Sequence, residues 1–248
     1  MKTKKGIFLL MILFVSLVVA LDVDQLNNLF YEARRDHDIE KILFVIKAIE
    51  STEDHDQNAK LLTILADAYL EYGLWGVKPE EKEEIYEVAR RLAEKALKLD
   101  PSNGRASYIA GAAIGRLAQY KGIIKSLFML GDFDGYIKKA IKLLNEEEEE
   151  GRLYKTFAYI AMGMRYRDVP WPLYNYKKSE EFFEKALQLT PNYSNIYLEM
   201  GYLYLKMKDY ERAKEMFQKV ISMEPHPWLV KTHEEAAQKA QEELSKLK

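Results

Sequence analysis

Residues Ser194–Pro225 read SNIYLEMGYLYLKMKDYERAKEMFQKVISMEP. Apolar or small residues fall at Ile196, Tyr197, Met200, Gly201, Tyr204 and Met207, the three- and four-residue steps of one helical face. The polar pair Lys208–Asp209 interrupts the stripe. A second stripe follows at Tyr210, Ala213, Phe217, Val220 and Ile221, and Pro225 ends it. The pattern predicts two amphipathic helices joined by a tight turn. Gly201 and Ala213 leave room where the helices approach, and Tyr204 and Phe217 fill the wedge between successive hairpins.

Gly201, Tyr204, Asp209, Tyr210, Ala213, Phe217 and Pro225 resemble the signature of the 34-residue tetratricopeptide repeat, and Pro191 to Pro225 is one such period. Val220 departs from the family pattern, which usually has Ala there. Looser copies stand upstream. Met162, Gly163 and Tyr166 look like a first helix, with Tyr176, Phe183, Ala186 and Pro191 as its second. Leu65, Ala66 and Tyr69 pair in the same way with Tyr86, Ala89, Ala96 and Pro101, and Gly111 opens another first helix. The small-residue positions Ala66, Gly111, Gly163 and Gly201 lie 45, 52 and 38 residues apart, so these repeats are longer than 34.

Residues 23–49, as two helices with a blurred match to the repeat, and His233–Leu247, as a polar amphipathic helix, read as caps, because end repeats present one face to water. The expected fold is therefore all-α: a right-handed α-solenoid of about four tetratricopeptide-type hairpins with capping helices. It fills residues 21–248, with the best repeat at 194–227.

The first twenty residues stand apart. Lys2, Lys4 and Lys5 precede an apolar run from Ile7 to Ala20, with Val18 and Ala20 at the positions of a processing site. This order predicts a signal peptide over 1–20 and a periplasmic protein. The run is shorter than the roughly 20 apolar residues a spanning helix needs. An uncleaved anchor is the lesser alternative, and no later segment has the length to cross a membrane. Removing residues 1–20 leaves 34 basic against 39 acidic residues, a net charge of about −5. Such a balance argues against nucleic acid as a partner, since phosphates demand a basic stripe. With no cysteine, stability must come from apolar packing.

The extra residues of the long repeats point to function. Insertions at Gly73–Glu84, Tyr120–Asp134 and Arg167–Asn175 are placed between the helices of their repeats and are unusually apolar for exposed loops. Equivalent loops of a solenoid align on one edge. Trp75, Phe128, Trp171, Leu173 and Tyr174 are therefore candidate contacts for a partner or an apolar ligand. The concave groove is the other candidate, through Arg105, Tyr108, Arg116, Asn195, Leu198, Tyr202 and Lys206. Packing of the loops on one another is the plainer alternative.

Lys121-Gly122-Ile123-Ile124-Lys125-Ser126-Leu127-Phe128, Val169-Pro170-Trp171-Pro172 and Lys177-Lys178 resemble exported bacterial repeat proteins. That group is similar to the T component associated with tripartite ATP-independent periplasmic transporters. A fainter likeness is to the regulator of microtubule dynamics proteins. The resemblance covers roughly residues 60–225 and implies a periplasmic helper that hands an apolar ligand to a solute-binding protein. The lipoprotein cysteine that T components often carry has no counterpart here.

Catalytic and metal signatures are missing from the sequence. His37, His55, His226 and His233 fall in no helical metal spacing, and the Asp36–Asp38 and Asp54–Asp56 triplets read as helix caps. Glu146–Glu150 reads as a solvated helix end, and Asp132–Gly135 lacks the rest of a calcium loop. No Gly-rich phosphate cradle, serine elbow or cysteine nucleophile is present. The expectation is a non-enzymatic protein without metal or cofactor that binds a protein or peptide. A carrier of a small apolar ligand is the alternative, and homo-oligomer formation stays open.

Overall fold

The computed structural model describes residues 21–247. The predicted signal peptide at 1–20 lies outside the described residues. Among those described, the chain is helical throughout, with eleven α-helices and no strand. They pair as α1 (Val23–Asp36) with α2 (Ile39–Glu50), and α3 (Ala59–Glu71) with α4 (Lys82–Leu99). Next come α5 (Gly104–Ala118) with α6 (Gly122–Leu143), and α7 (Glu149–Asp168) with α8 (Tyr176–Leu189). The last pair, α9 (Ser194–Met207) and α10 (Tyr210–Ser222), is covered by α11 (Val230–Lys246). This is a tetratricopeptide-type solenoid in which the predicted amino-terminal cap is itself a full hairpin.

Local chemistry sets the boundaries. Asp22 and Gln25 form a reciprocal capping box at the start of α1, and His37 ends that helix in the left-handed region at φ 51°. Asn58, Asn103 and Asn175 cap α3, α5 and α8 by accepting from backbone N–H groups. Between α9 and α10, Lys208 takes φ 62° and Asp209 accepts from the Arg212 amide. That two-residue turn lets the hairpin fold back on itself.

The signature residues do what the repeat demands. A Cβ on Gly201 would overlap the Phe217 ring, one on Gly163 the Phe183 ring, and one on Gly111 the Ile137 side chain. Ala66, Ala213 and Phe217 are fully buried, Tyr204 nearly so, and Pro225 half-buried just beyond α10. Val220, the departure from the family pattern, is also fully buried.

Two expectations need correction. The Tyr120–Asp134 insertion is not a loop. Apart from the turn before Gly122 it is helix, and it lengthens α6 at its start. Its Ile123, Leu127 and Leu130 recur at helical spacing, so an apolar stripe propagates helix rather than breaking it. Of the two Asp-His-Asp triplets, only the first supplies a cap to an α-helix. Asp38 caps α2, whereas Asn58 caps α3 and Asp54 makes no side-chain cap bond.

The solenoid also closes on itself. Tyr31 of α1 lies against Trp228, just before α11, with ring centroids 4.8 Å apart. His37 meets Glu235 at 3.0 Å and Thr232 at 3.3 Å, both on α11. First and last helices thus clasp, and the concave side narrows to a half-open cavity.

Candidate functional site

One end of the concave side is a buried polar network. Asp67 of α3 accepts from Arg105 Nε of α5 at 2.9 Å and from the Tyr154 hydroxyl of α7. Arg105 Nη1 also donates to Asn27 of α1 at 2.7 Å and to Glu150 of α7 at 3.3 Å. Arg34 of α1 donates from Nη1 to the Tyr154 oxygen at 3.0 Å. Four helices therefore meet through groups that would cost several kcal/mol each if desolvated alone. Burial pushes the Tyr154 phenol up, against the pull of the two arginines, so it stays a neutral hydroxyl.

Beyond the network lies a cavity of about 680 Å³. Glu71, Trp75, Tyr108, Arg116, Tyr193 and Asn195 are among its walls. Desolvation raises the Glu71 carboxyl to about 7, with Arg34 opposing, and the Trp75 indole N–H donates to it at 3.0 Å. Trp75 stacks on the His37 ring, with centroids 5.0 Å apart and planes 6° from parallel. Desolvation lowers the His37 pKa, outweighing Glu235, and so favours the neutral imidazole. Burial also raises Tyr108 and Tyr193 above the ordinary phenol range. The cavity therefore presents neutral donors and aromatic faces beside a few charges.

The other feature is an exposed apolar edge beside the same cavity. The first turns of α6 bury little: Ile123 is 69 % exposed, Ile124 73 % and Phe128 82 %. Trp171, in the α7–α8 loop, is 79 % exposed. Leu127 and Met129 on one side, and Val169 and Pro170 on the other, line the cavity, so both segments flank it. Leu173 and Tyr174 complete the loop, with Tyr174 stacked on Tyr176 at 4.7 Å.

The sequence-selected residues thus divide. Phe128, Trp171, Leu173 and Tyr174 lie on the edge, while Trp75 points away from it into the cavity wall. Of the groove set, Tyr108, Arg116 and Asn195 line the cavity. Tyr202 and Lys206 border a separate shallow depression with Arg167, Asp168 and Leu205. Arg105 and Leu198, expected to face a partner in the groove, are buried instead, Arg105 by the clasping of α1 and Leu198 in the core of the last hairpins. Glu150, assigned to a solvated run, turns inward to Arg105 and Asn27.

Sequence reasoning missed Arg34, Glu71, Tyr154 and Tyr193. Arg34 and Tyr154 are 120 positions apart, and no local pattern pairs them. The polar interruption of the α1 apolar stripe at Asn27 and Arg34 was the available signal. Among the described residues no group of three or more His, Asp or Glu side chains is arranged to hold a metal ion.

Comparison with known proteins agrees with this architecture. A crystal structure of TTC0263, a thermophilic TPR protein of Thermus thermophilus, superposes with a TM-score of 0.59 at 16 % identity. The match covers 87 % of this chain and 98 % of that one, and it establishes the fold alone. A MamA crystal structure gives a TM-score of 0.44 at 19 % identity, over 79 % and 88 % of the two chains. The BBSome complex member BBS4 homolog of Drosophila melanogaster is 24 % identical over 184 residues. Those residues are 62 % of this chain and 36 % of that relative, so the chain spans little more than a third of its length. The family model for regulator of microtubule dynamics protein 1-3 matches residues 23–248, nearly the whole chain, and the protein belongs to that family.

Proposed function

We propose that this is a non-enzymatic interaction protein, exported to the periplasm, that docks a protein partner on the edge formed by the start of α6 and the α7–α8 loop. The tetratricopeptide-type fold fits binding of a protein partner. One observation carries the choice of edge over groove. Phe128 and Trp171 are the most exposed large apolar side chains among the described residues. Each forgoes about 1.5–3 kcal/mol of burial that a partner would restore. The groove is narrowed to a half-open cavity by α1 and α11. Among the described residues no helix is long and apolar enough to cross a membrane. The test is cross-linking in the source periplasm, comparing the wild type with a Phe128→Ser, Trp171→Ser double variant. A specific partner recovered by the wild type should be lost by the variant, with its melting curve unchanged. Equal recovery by both would remove the edge from consideration.

The half-open cavity favours a second role, carriage of a small ligand with a largely apolar body. The resemblance to transporter T components extends this to exchange with a solute-binding protein. Native mass spectrometry of gently purified protein should reveal a retained molecule that Trp75→Ala weakens. A protein that arrives empty and takes up no apolar compound refutes the carrier role.

A further inference from the structure

The three most buried arginines are not treated alike. Arg167 presents its Nε/Nη2 edge to the two oxygens of Asp168, each at 2.8 Å, and its Nη1 to Glu199 at 2.6 Å. Arg105 is paired to Asp67 and Glu150. On the surface, Arg35 offers the same Nε/Nη2 edge to Asp36 at 2.9 and 2.7 Å. Arg34 is 2 % exposed, and its Nε and Nη2 have no hydrogen-bond partner. Those two nitrogens carry the parallel N–H pair that grips a carboxylate in bidentate fashion. The fork this chain fills elsewhere with aspartate is thus buried and unfilled here.

What surrounds Arg34 favours its charge without filling its fork. The Phe30, Tyr31, Tyr154 and Phe157 ring centroids lie 4.8–5.5 Å from its Cζ. Aromatic faces stabilise a cation by about 0.5–2 kcal/mol and accept an N–H only weakly. Of the nearby carboxyls, Asp67 is engaged by Arg105 and Tyr154. Glu71 is bonded to Trp75, and with its carboxyl near 7 it is a poor permanent counter-ion. A buried guanidinium with an empty fork is costly to keep, and an apolar side chain of similar volume would normally be as stable or more so. Arg34 also lines the cavity, together with Phe157. Phe157 belongs to both the aromatic cage and the cavity wall, and Nε and Nη2 are themselves covered, so a carboxylate reaches the fork by displacing that ring.

We propose that the cavity binds a monocarboxylate with an apolar body, its carboxylate held side-on by the Nε/Nη2 edge of Arg34 and its body lying along the aromatic and aliphatic wall. This rests on the carrier role and names the ligand class for it. The apolar wall runs from Trp75 and Leu74 to Met129 and Ile160. No bond is made or broken, because the ligand is held and released.

The experiment is calorimetric titration of the full chain with decanoate, 1-decanol and decyl phosphate, each below its micelle concentration, in wild type and in Arg34→Met and Arg34→Lys. Met fills the cage without a charge, and Lys keeps the charge without the fork. The wild type should bind decanoate roughly 10- to 100-fold more tightly than decanol, the range of a charge-assisted hydrogen-bonded pair. Arg34→Met should abolish that preference while leaving decanol binding intact, which also shows that the variant is folded. Arg34→Lys should lose most of it. Equal binding of decanoate and decanol, or a preference that survives in Arg34→Met, overturns the Arg34 site but leaves the carrier role standing. Tighter binding of decyl phosphate overturns the carboxylate assignment. Binding of none of the three by the wild type removes the carrier role and the site together.

Discussion

The hairpins α9/α10 and α5/α6 share a plan and differ in what they do with apolar residues. In α9/α10 the second helix begins right after a two-residue turn, and Ala213, Phe217 and Val220 are all fully buried. In α5/α6 the second helix runs 22 residues, and its buried residues are only Phe133, Ile137 and Ala140, all in the latter part. The start of α6 has no neighbouring repeat to lie on and exposes Ile123, Ile124 and Phe128. A helix longer than its repeat has to place the surplus somewhere. Here the surplus is apolar, and it becomes surface.

The contrast can be broken first at Phe217. Phe217→Ala should cost about 3–5 kcal/mol, the usual range for emptying a packed aromatic site, measured as the shift of the urea midpoint. Gly201→Leu strikes the same contact from the other side and should cost about 1–3 kcal/mol by overpacking, read in the same titration.

Glu71, the last residue of α3, sharpens the comparison on the cavity side. Its folded-state pKa is raised, so between about 4.5 and about 7 the native state holds more protons than the unfolded chain. Its contribution therefore favours folding at low pH and is lost as pH rises through about 7. Glu71→Gln should remove a slope amounting to on the order of 1–2 kcal/mol across that window. Stability curves at pH 5 and 8 check this, and an unchanged pH slope would contradict it. The smallest effect is expected at Phe128. Phe128→Ser should leave stability within about 0.5 kcal/mol, in contrast to the large loss at Phe217.

How much of this was legible follows the same division. The residues of α9 and α10 state their packing within 32 positions, because every partner of Gly201 and Phe217 lies one turn or one helix away. The lengthened α6 was hidden by the assumption of a fixed repeat length, although its apolar spacing is helical. The edge residues Phe128 and Trp171 were picked out as apolar excess over the repeat, and their value as contacts rests on the proposed docking. The cavity walls were half visible: Tyr108, Arg116 and Asn195 follow from helix periodicity, while Arg34 and Glu150 do not. Their positions depend on α1 swinging against α5, α7 and α11, a consequence of curvature summed over five hairpins. Curvature is set by many small packing angles, and no short motif encodes it.

The clasp between α1 and α11 has a bearing on cooperativity. An open repeat array behaves as a row in which each unit knows only its neighbours, so its ends fray independently. Joining the ends through Tyr31–Trp228 and His37–Glu235 makes each terminal hairpin a neighbour of the other. Loss of either end then removes support from the opposite end as well. Amide exchange in α1 and α11 should rise together rather than separately.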